Sequence, residues 1–401
     1  SVRIINCKMA RFIKQTILNS TQTVGPRNEV DDMFLPALAY QSPFGQQVLD
    51  PKWTWRKYYV HQILIVLLII YVFVGTLECL KLSDDIEIQA EAYYTIIMII
   101  IFPVKMLLFI YSRFTFRDLY VTVKSTLVDV IQRDPDADIK SVLQTGNRIV
   151  YLLFSMVIVP ISIYELTTLW NYIIGTRILL SRSTMTLMPL TSPYYEIAWF
   201  LHTIFLLEIS STIILDMWFV LLIYFLCAAY RGLAYMLKVE RSYENEESYS
   251  DRLNKALRNF YNTHLKLNQY LSSLIKMYKI SAFIPLCNAA MCICLNLLLM
   301  SKEINWRFAP HMLPMFAEIF AYNWFGEHIK TKINDVKLAL VNFEWTSLKL
   351  KDKKAYYTII MYMNREFGLK TISGKELSLI TMTAVLKITY QAFTVLKTID
   401  G

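Results

Sequence analysis

The sequence predicts an all-α polytopic membrane protein: seven transmembrane helices, N-terminus cytosolic, C-terminus extracellular, with a helical cytosolic anchor platform. Three observations lead there. The 401 residues are 55% apolar, 18% charged and 14% aromatic, with a mean hydropathy of +0.37, against roughly 45–50% apolar and about 25% charged in soluble domains. The apolar residues come in runs of about 20, the length that crosses a ~30 Å hydrocarbon core. The basic residues lie almost wholly on one side of those runs. So much apolar surface excludes disorder, and 10 Gly with 12 Pro exclude a collagen-like repeat.

Taken in order, the spans are Tyr59–Leu80, Ala92–Tyr111, Ile149–Ile174, Tyr195–Tyr230, Tyr278–Met300, Phe308–Ile329 and Leu377–Leu396. The fourth would reach roughly 54 Å at 1.5 Å per residue, so it is expected to project beyond one membrane face. Pro103, Pro160, Pro285 and Pro314 fall inside helices; neighbouring helices can tolerate them in a membrane.

Of the 41 Lys and Arg residues, 32 fall in segments 1–58, 112–148, 231–277 and 330–376, and 6 in the loops on the other side. By the positive-inside rule the long basic segments are cytosolic. This explains the net charge of +9 without nucleic acid. Residues 1–58 have no secretory signal, and the Asn19-Ser20-Thr21 sequon is expected on the cytosolic side, unglycosylated. The six cysteines (Cys7, Cys79, Cys227, Cys287, Cys292 and Cys294) sit mostly inside apolar runs, where thiols act as small hydrophobes. No metal-ligand cluster, cofactor motif, nucleophile motif or phosphate-binding glycine loop appears.

The domain plan is a cytosolic N-terminal segment, 1–58; spans one to four, 59–230; a cytosolic helical hairpin, 231–277; spans five and six, 278–329; cytosolic helices, 330–376; and the seventh span with a short outer tail, 377–401. In 231–277, Leu253, Leu257, Phe260, His264, Leu267, Leu271, Leu274 and Tyr278 recur at spacings of four and three, a coiled-coil-type seam with Lys255, Arg258 and Lys266 outside it. The fourth helix is expected to turn back through Ser242–Ser250, and the returning helix to run directly into span five. In 330–376, Val336, Leu340, Phe343 and Ser347 form one stripe and Tyr356, Ile360 and Met363 another, with Lys349, Lys351, Lys353 and Lys354 at the turn. The basic run reads either as a solvated loop near anionic headgroups or as part of a platform on which subunits associate.

Ionisable groups inside spans are costly. Glu208, Thr212 and Asp216 share one face of span four, and Lys105 in span two matches the depth of Asp216, so an ion pair between Lys105 and Asp216 is expected. Glu165 lies in the outer half of span three. On span seven, Ala384, Ile388, Gln391, Val395 and Ile399 make one narrow face beside Lys387. That face reads equally as an ordinary packed helix with a snorkelling lysine or as a pore wall whose aliphatic residues dewet a conduit. One helix cannot enclose a pore, so the second reading requires several subunits.

The C-terminal string Leu377-Ser378-Leu379-x-Thr381, Leu386-Lys387, Tyr390 and Phe393-Thr394-Val395-Leu396 resembles the insect odorant receptor family. Phe325-Gly326-Glu327, Trp345, Lys354 and Ser192-Pro193-Tyr194-Tyr195-Glu196 are also similar to it, while Ile380 and Met382 depart from the family's usual Glu and Phe. Gustatory receptors are less similar: Leu396-Lys397 stand where they carry Gln-Phe. The short loop between spans four and five and the presence of Lys387 resemble an odour-tuning subunit, not the co-receptor.

The resemblance implies a ligand-gated, non-selective cation channel, a heterotetramer with the co-receptor subunit. It also implies the plasma membrane of olfactory sensory neuron dendrites and a small volatile organic ligand, with membrane lipid around it. Val395 falls at the family's hydrophobic gate and Ile399 one turn beyond, with Gln391, Ile388 and Lys387 on the same helix. The implied pocket, in the outer half among spans two, three, four and six, offers Tyr93, Tyr94, Ile97, Tyr164, Thr168, Trp199, His202, Thr203, Leu206, Met312, Phe316 and Phe320. An apolar, aromatic site of this kind suits a small ester, alcohol or aldehyde. The main rival is a seven-helix metabotropic receptor, although Asp-Arg-Tyr and Asn-Pro-x-x-Tyr are both missing; a membrane enzyme or carrier is third.

Overall fold

A computed structural model describes residues 29–46, 49–50, 52–135, 138–179, 187–241, 246–302, 309–364 and 368–400. Cys7 and the Asn19 sequon lie outside the described residues. Each of the seven apolar runs falls on a helix, named here in chain order. α1 is Glu29–Gln41, α2 Trp55–Leu82, α3 Ile86–Tyr111 and α4 Arg113–Thr122, which passes through a π-turn, Val123–Leu127, into α5, Val128–Ile131. Then follow α6 Ile139–Ile173, α7 Tyr194–Tyr235, α8 Glu246–Tyr278, α9 Phe283–Lys302, α10 Ala309–Val341, α11 Leu350–Met363 and α12 Leu379–Asp400. Among the described residues the only β pairing is one isolated bridge, Lys370 with Glu376.

Length and apolarity alone qualify α2, α3, α6 and α7 as membrane-crossing helices; α8 with α9 qualifies as a pair, and α12 is a shorter apolar helix over Leu379–Val395. Burial separates their roles. Inside the chain, 83% of the apolar window of α7 is covered, against 28–33% for α2, α3 and α6. A helix apolar all round belongs in the middle of its bundle, and α7 is the hub, with α10 packed along it and α1, α3, α5, α6 and α8 around it. The outer faces of α2, α3 and α6 expose Ile63, Leu64, Leu67, Ile100, Leu107, Leu152 and Leu166, as a lipid-facing surface requires.

At the end of the bundle where the basic segments gather, α1 is wedged against α7. Phe34 lies 4.7 Å from Trp218 and 5.1 Å from Tyr120, and the Trp218 Nε1 donates to Gln41 Oε1 at 3.1 Å. Burying a phenylalanine of this kind contributes about 1.5–3 kcal/mol. Asp31 is held there by Lys124 at 2.8 Å and by the Tyr120 hydroxyl; burial and that carboxylate push the Tyr120 phenol far above its ordinary range.

All eight seam residues of α8 are buried, and Lys255, Arg258 and Lys266 are exposed. The seam carries a polar joint: Tyr230 donates to Asn268 at 3.2 Å, and the Asn268 amide donates to the Tyr362 hydroxyl at 3.3 Å. This ties α7, α8 and α11 together below the spans.

Three local expectations change. Span five does not continue α8: residues 279–282 break the helix, and α9 leaves at 43°. Pro285 favours this: it has no N–H to donate to the Ser281 carbonyl in a continuous helix, and in the first turn of α9 that donor is not needed. The carbonyl of Lys279 exposed by the break accepts the Ile372 amide at 3.1 Å. The turn before α8 is tighter than Ser242–Ser250, since Glu246 is already helical. In α11 the buried stripe is Asp352, Tyr356, Ile359 and Met363, displacing Ile360; Lys351, Lys353 and Lys354 belong to its first turns, not to the connection.

The approach to α12 is a small hairpin, with Leu377 N–H bonded to the Leu369 carbonyl at 2.9 Å. Ser378 then caps α12: its Oγ accepts the Thr381 amide at 3.2 Å, the reach of an N-cap serine to the third helical residue. Asn323 of α10, fully buried, accepts the Ser378 amide at 3.2 Å. Gly326 permits that close approach, because a Cβ there would strike the Leu377 carbonyl oxygen.

Candidate ligand cavity and the seventh span

Between α3, α6, α7, α9 and α10 lies a cavity of about 150 Å³, the scale of cavities that hold a benzene-sized molecule. Tyr94 and Met98 of α3, Pro160 and Tyr164 of α6, and His202, Phe205, Leu206 and Ile209 of α7 form most of the wall; Met315 of α10 and Asn288 of α9 complete it. Four residues expected from the sequence therefore meet on one cavity: Tyr94, Tyr164, His202 and Leu206.

The others are placed elsewhere. Tyr93, Phe316 and Phe320 are exposed on the bundle's outer faces, Ile97 is half-buried, and Thr168 is buried beyond the lining. Trp199 and Thr203 serve α6: the indole N–H and the hydroxyl donate to the two oxygens of Glu165 at 2.8 and 2.9 Å. The side chain of Met312 lies outside the described residues, as does that of Ile399.

The inner end of the cavity is charged. Lys105 Nζ sits 2.8 Å from Asp216 Oδ2 and also pairs with Glu318 of α10. Tyr322, one turn from Glu318, donates to Asp216 Oδ1 at 2.6 Å. Lys105 and Glu318 line the cavity, with Glu91 and Thr95 at its other end. One ammonium thus serves two carboxylates in a water-poor setting, where opposite charges attract far more strongly than in bulk solvent. The Lys105–Asp216 pair was legible in the sequence; Glu318 was not singled out, although an acid within an apolar run carries the same signal. Glu208, on the same face as Asp216, is buried with neither carboxylate oxygen hydrogen-bonded.

The seventh helix, α12, stands apart from this cavity. It packs on α9 and α10, and Thr389 is buried. Ala384, Lys387, Ile388, Gln391 and Val395 are all exposed, with Ile388 at 63% and Val395 at 58%. α9 bridges the two regions: Asn288 faces the cavity and accepts from Cys292 Sγ at 3.1 Å, while another face carries α12. No group of three or more His, Cys, Asp or Glu able to hold a metal occurs among the described residues.

A largely apolar cavity with a charged end, inside a helical membrane bundle, can hold a small apolar ligand. The family model described as 7tm Odorant receptor matches residues 86–390. Among solved structures, the insect olfactory receptor OR5 from Machilis hrabei in complex with eugenol is similar over 87% of this chain and 92% of its own, at 14% identity and a TM-score of 0.70. The same receptor described without eugenol gives 86% and 91% coverage, 14% identity and 0.69. At that identity the likeness is one of fold, a seven-helix membrane fold. No curated protein matches the chain. The match of the family model across both the cavity-forming helices and most of α12 makes the chain a chemoreceptor and not an enzyme: it belongs to the seven-transmembrane odorant receptor family.

Proposed function

We propose that this chain is the odour-tuning subunit of a ligand-gated, non-selective cation channel, assembled with a co-receptor subunit in a heterotetramer at the plasma membrane. The N-terminus and the platform of α8 and α11 face the cytosol in this reading, and the end of α12 faces outward. Odorant occupies the cavity among α3, α6, α7, α9 and α10, with its apolar body against Tyr94, Tyr164, Phe205 and Leu206 and its polar group towards Lys105 and Glu318. The cavity's size and lining suit a small alcohol, aldehyde or ester. Eugenol, held by the similar receptor, is a first probe.

The observation that carries the reading is the uncovered stripe Ile388, Gln391 and Val395 on α12, outside the bundle that encloses the cavity. In an isolated chain that stripe would turn the Gln391 amide to lipid; several chains around an axis would line a conduit with it, and the aliphatic side chains would close it by dewetting. Ligand opens such a conduit only by binding the open state more tightly than the closed one.

The test is electrical recording from cells expressing this chain with and without the co-receptor. Odour-evoked cation current only in the pair, insensitive to G-protein inhibitors, is the expected result. Responses from the chain alone that vanish with G-protein block would replace the channel with a metabotropic receptor.

A further inference from the structure

Where α2 begins and α3 ends, an open apolar groove of about 370 Å³ is lined by Trp55, Leu107, Leu108, Ile110 and Tyr111, with Arg113 the one charged residue of its lining among the described residues. Trp55, Leu107 and Tyr111 are exposed, Tyr111 at 86%. The Arg113 guanidinium lies 5.2 Å from the Trp53 ring and 4.4 Å from the Phe114 ring. Its Nη1 donates to the Ile110 carbonyl at 3.2 Å. No carboxylate pairs with it among the described residues. Asp50, five residues before Trp55, already accepts from the Lys52 amide and, at 3.4 Å, from the Tyr58 hydroxyl. Asp118 lies about 140° around α4 from Arg113, at 100° per residue.

We infer that this groove binds an anionic phospholipid of the cytosolic leaflet, its acyl chain along Leu107, Leu108 and Tyr111 and its phosphate on Arg113. Charge and position both select this occupant. Arg113, with Arg117 one turn on and with Lys52 and Arg56 flanking Trp55 in sequence, stands at the edge of the bundle where the chain's basic residues gather, and a guanidinium matches a phosphate by two parallel N–H donors. Trp and Tyr concentrate at the membrane–water boundary, and here the exposed Trp55 and Tyr111 mark it. The aromatic rings fix the arginine in place, so little side-chain entropy remains to be lost when a headgroup arrives. A zwitterionic lipid would fill the same groove but leave that cation with weaker compensation. The inference needs the orientation argued above and neither the pore nor the odorant cavity.

The experiment uses the full-length chain with its partner subunit in phosphatidylcholine vesicles doped with equal mole fractions of brominated phosphatidylserine or brominated phosphatidylcholine. Bromine on the acyl chain quenches nearby indoles, and subtracting the signal of a Trp55→Phe variant isolates Trp55. The expected result is a preference of about fivefold for the anionic lipid at Trp55, the factor that one cation at a membrane surface contributes. Arg113→Gln removes the preference while total quenching persists, and Arg113→Lys, which keeps the charge but not the two parallel donors, retains it in part. Equal quenching by the two lipids would reduce the groove to ordinary lipid contact and overturn the inference. So would a preference surviving in Arg113→Gln, its loss in Arg113→Lys, or no quenching of Trp55 by either lipid.

Discussion

The Lys105 ammonium lies 2.8 Å from the Asp216 carboxylate, two groups 111 residues apart that join α3 to α7 at the inner end of the cavity. Glu318 makes the same ammonium a bridge to α10. Removing one member of a buried ion cluster leaves uncompensated charge and costs about 3–5 kcal/mol, whereas the intact cluster is worth much less than that. Lys105→Met is therefore expected to lower the melting temperature of the detergent-purified protein sharply and to reduce surface expression. Glu318→Gln, which removes the second negative charge but keeps a hydrogen-bonding side chain, is expected to cost less. Equal losses in the two variants would mean that the charges are not a single unit.

The cavity divides the candidate ligand residues into two groups with different phenotypes. Tyr164→Ala and Leu206→Ala, which alter the wall, should shift odorant half-maximal concentrations and reorder ligands while leaving unitary conductance unchanged. Trp199→Phe breaks the bond to Glu165, a loss of about 1.5–3 kcal/mol for a hydrogen bond to a charged group, and trims the packing on Tyr172 and Tyr195. It should lower thermal stability and leave the ranking of odorants intact. A reordered ranking in Trp199→Phe would extend the binding region to the α6–α7 seam.

Val395 presents its side chain away from the bundle, 58% exposed. As a hydrophobic gate it predicts that Val395→Ala raises basal current or alters ion selectivity in the assembled channel, with odour ranking preserved. Recordings in which neither quantity moves would remove Val395 from the gate.

His264, packed at 6.0 Å on Phe260 within the α8 seam, is held neutral by burial, which lowers its pKa from 6.5 to about 4. The unfolded chain thus takes up a proton between pH 6.5 and 4 that the folded chain refuses, and stability falls as pH drops through that window. Above pH 6.5 both states are neutral and this penalty is absent. A thermal-shift series should show a decline in melting temperature over this range that is weaker in His264→Phe.

Gly326→Ala tests the joint between α10 and α12. Its Cβ would meet the Leu377 carbonyl oxygen, backbone that cannot swing aside, so a cost of about 1–3 kcal/mol is expected from overpacking. Reduced thermal stability together with altered gating would tie the seat of α12 to channel function; unchanged stability would mean that the hairpin before α12 shifts freely.

The sequence by itself determined the number and order of the spans and the seam of α8, because these are properties of local periodicity and of apolar length; it marked the narrow face of α12, and the structure showed that face to be uncovered. It also paired Lys105 with Asp216, since buried charges need partners and these two matched in depth. The tertiary structure alone decided which aromatic residues share a cavity. Tyr93 and Tyr94 are adjacent and chemically alike, yet one faces outward and the other lines the wall, because helix rotation is set by packing against neighbours and not by composition. For the same reason Trp199 and Thr203 became partners of Glu165, and Glu318, on a helix more than 200 residues downstream of Lys105, joined the ion pair. Only the packed bundle brings those distant segments to one depth.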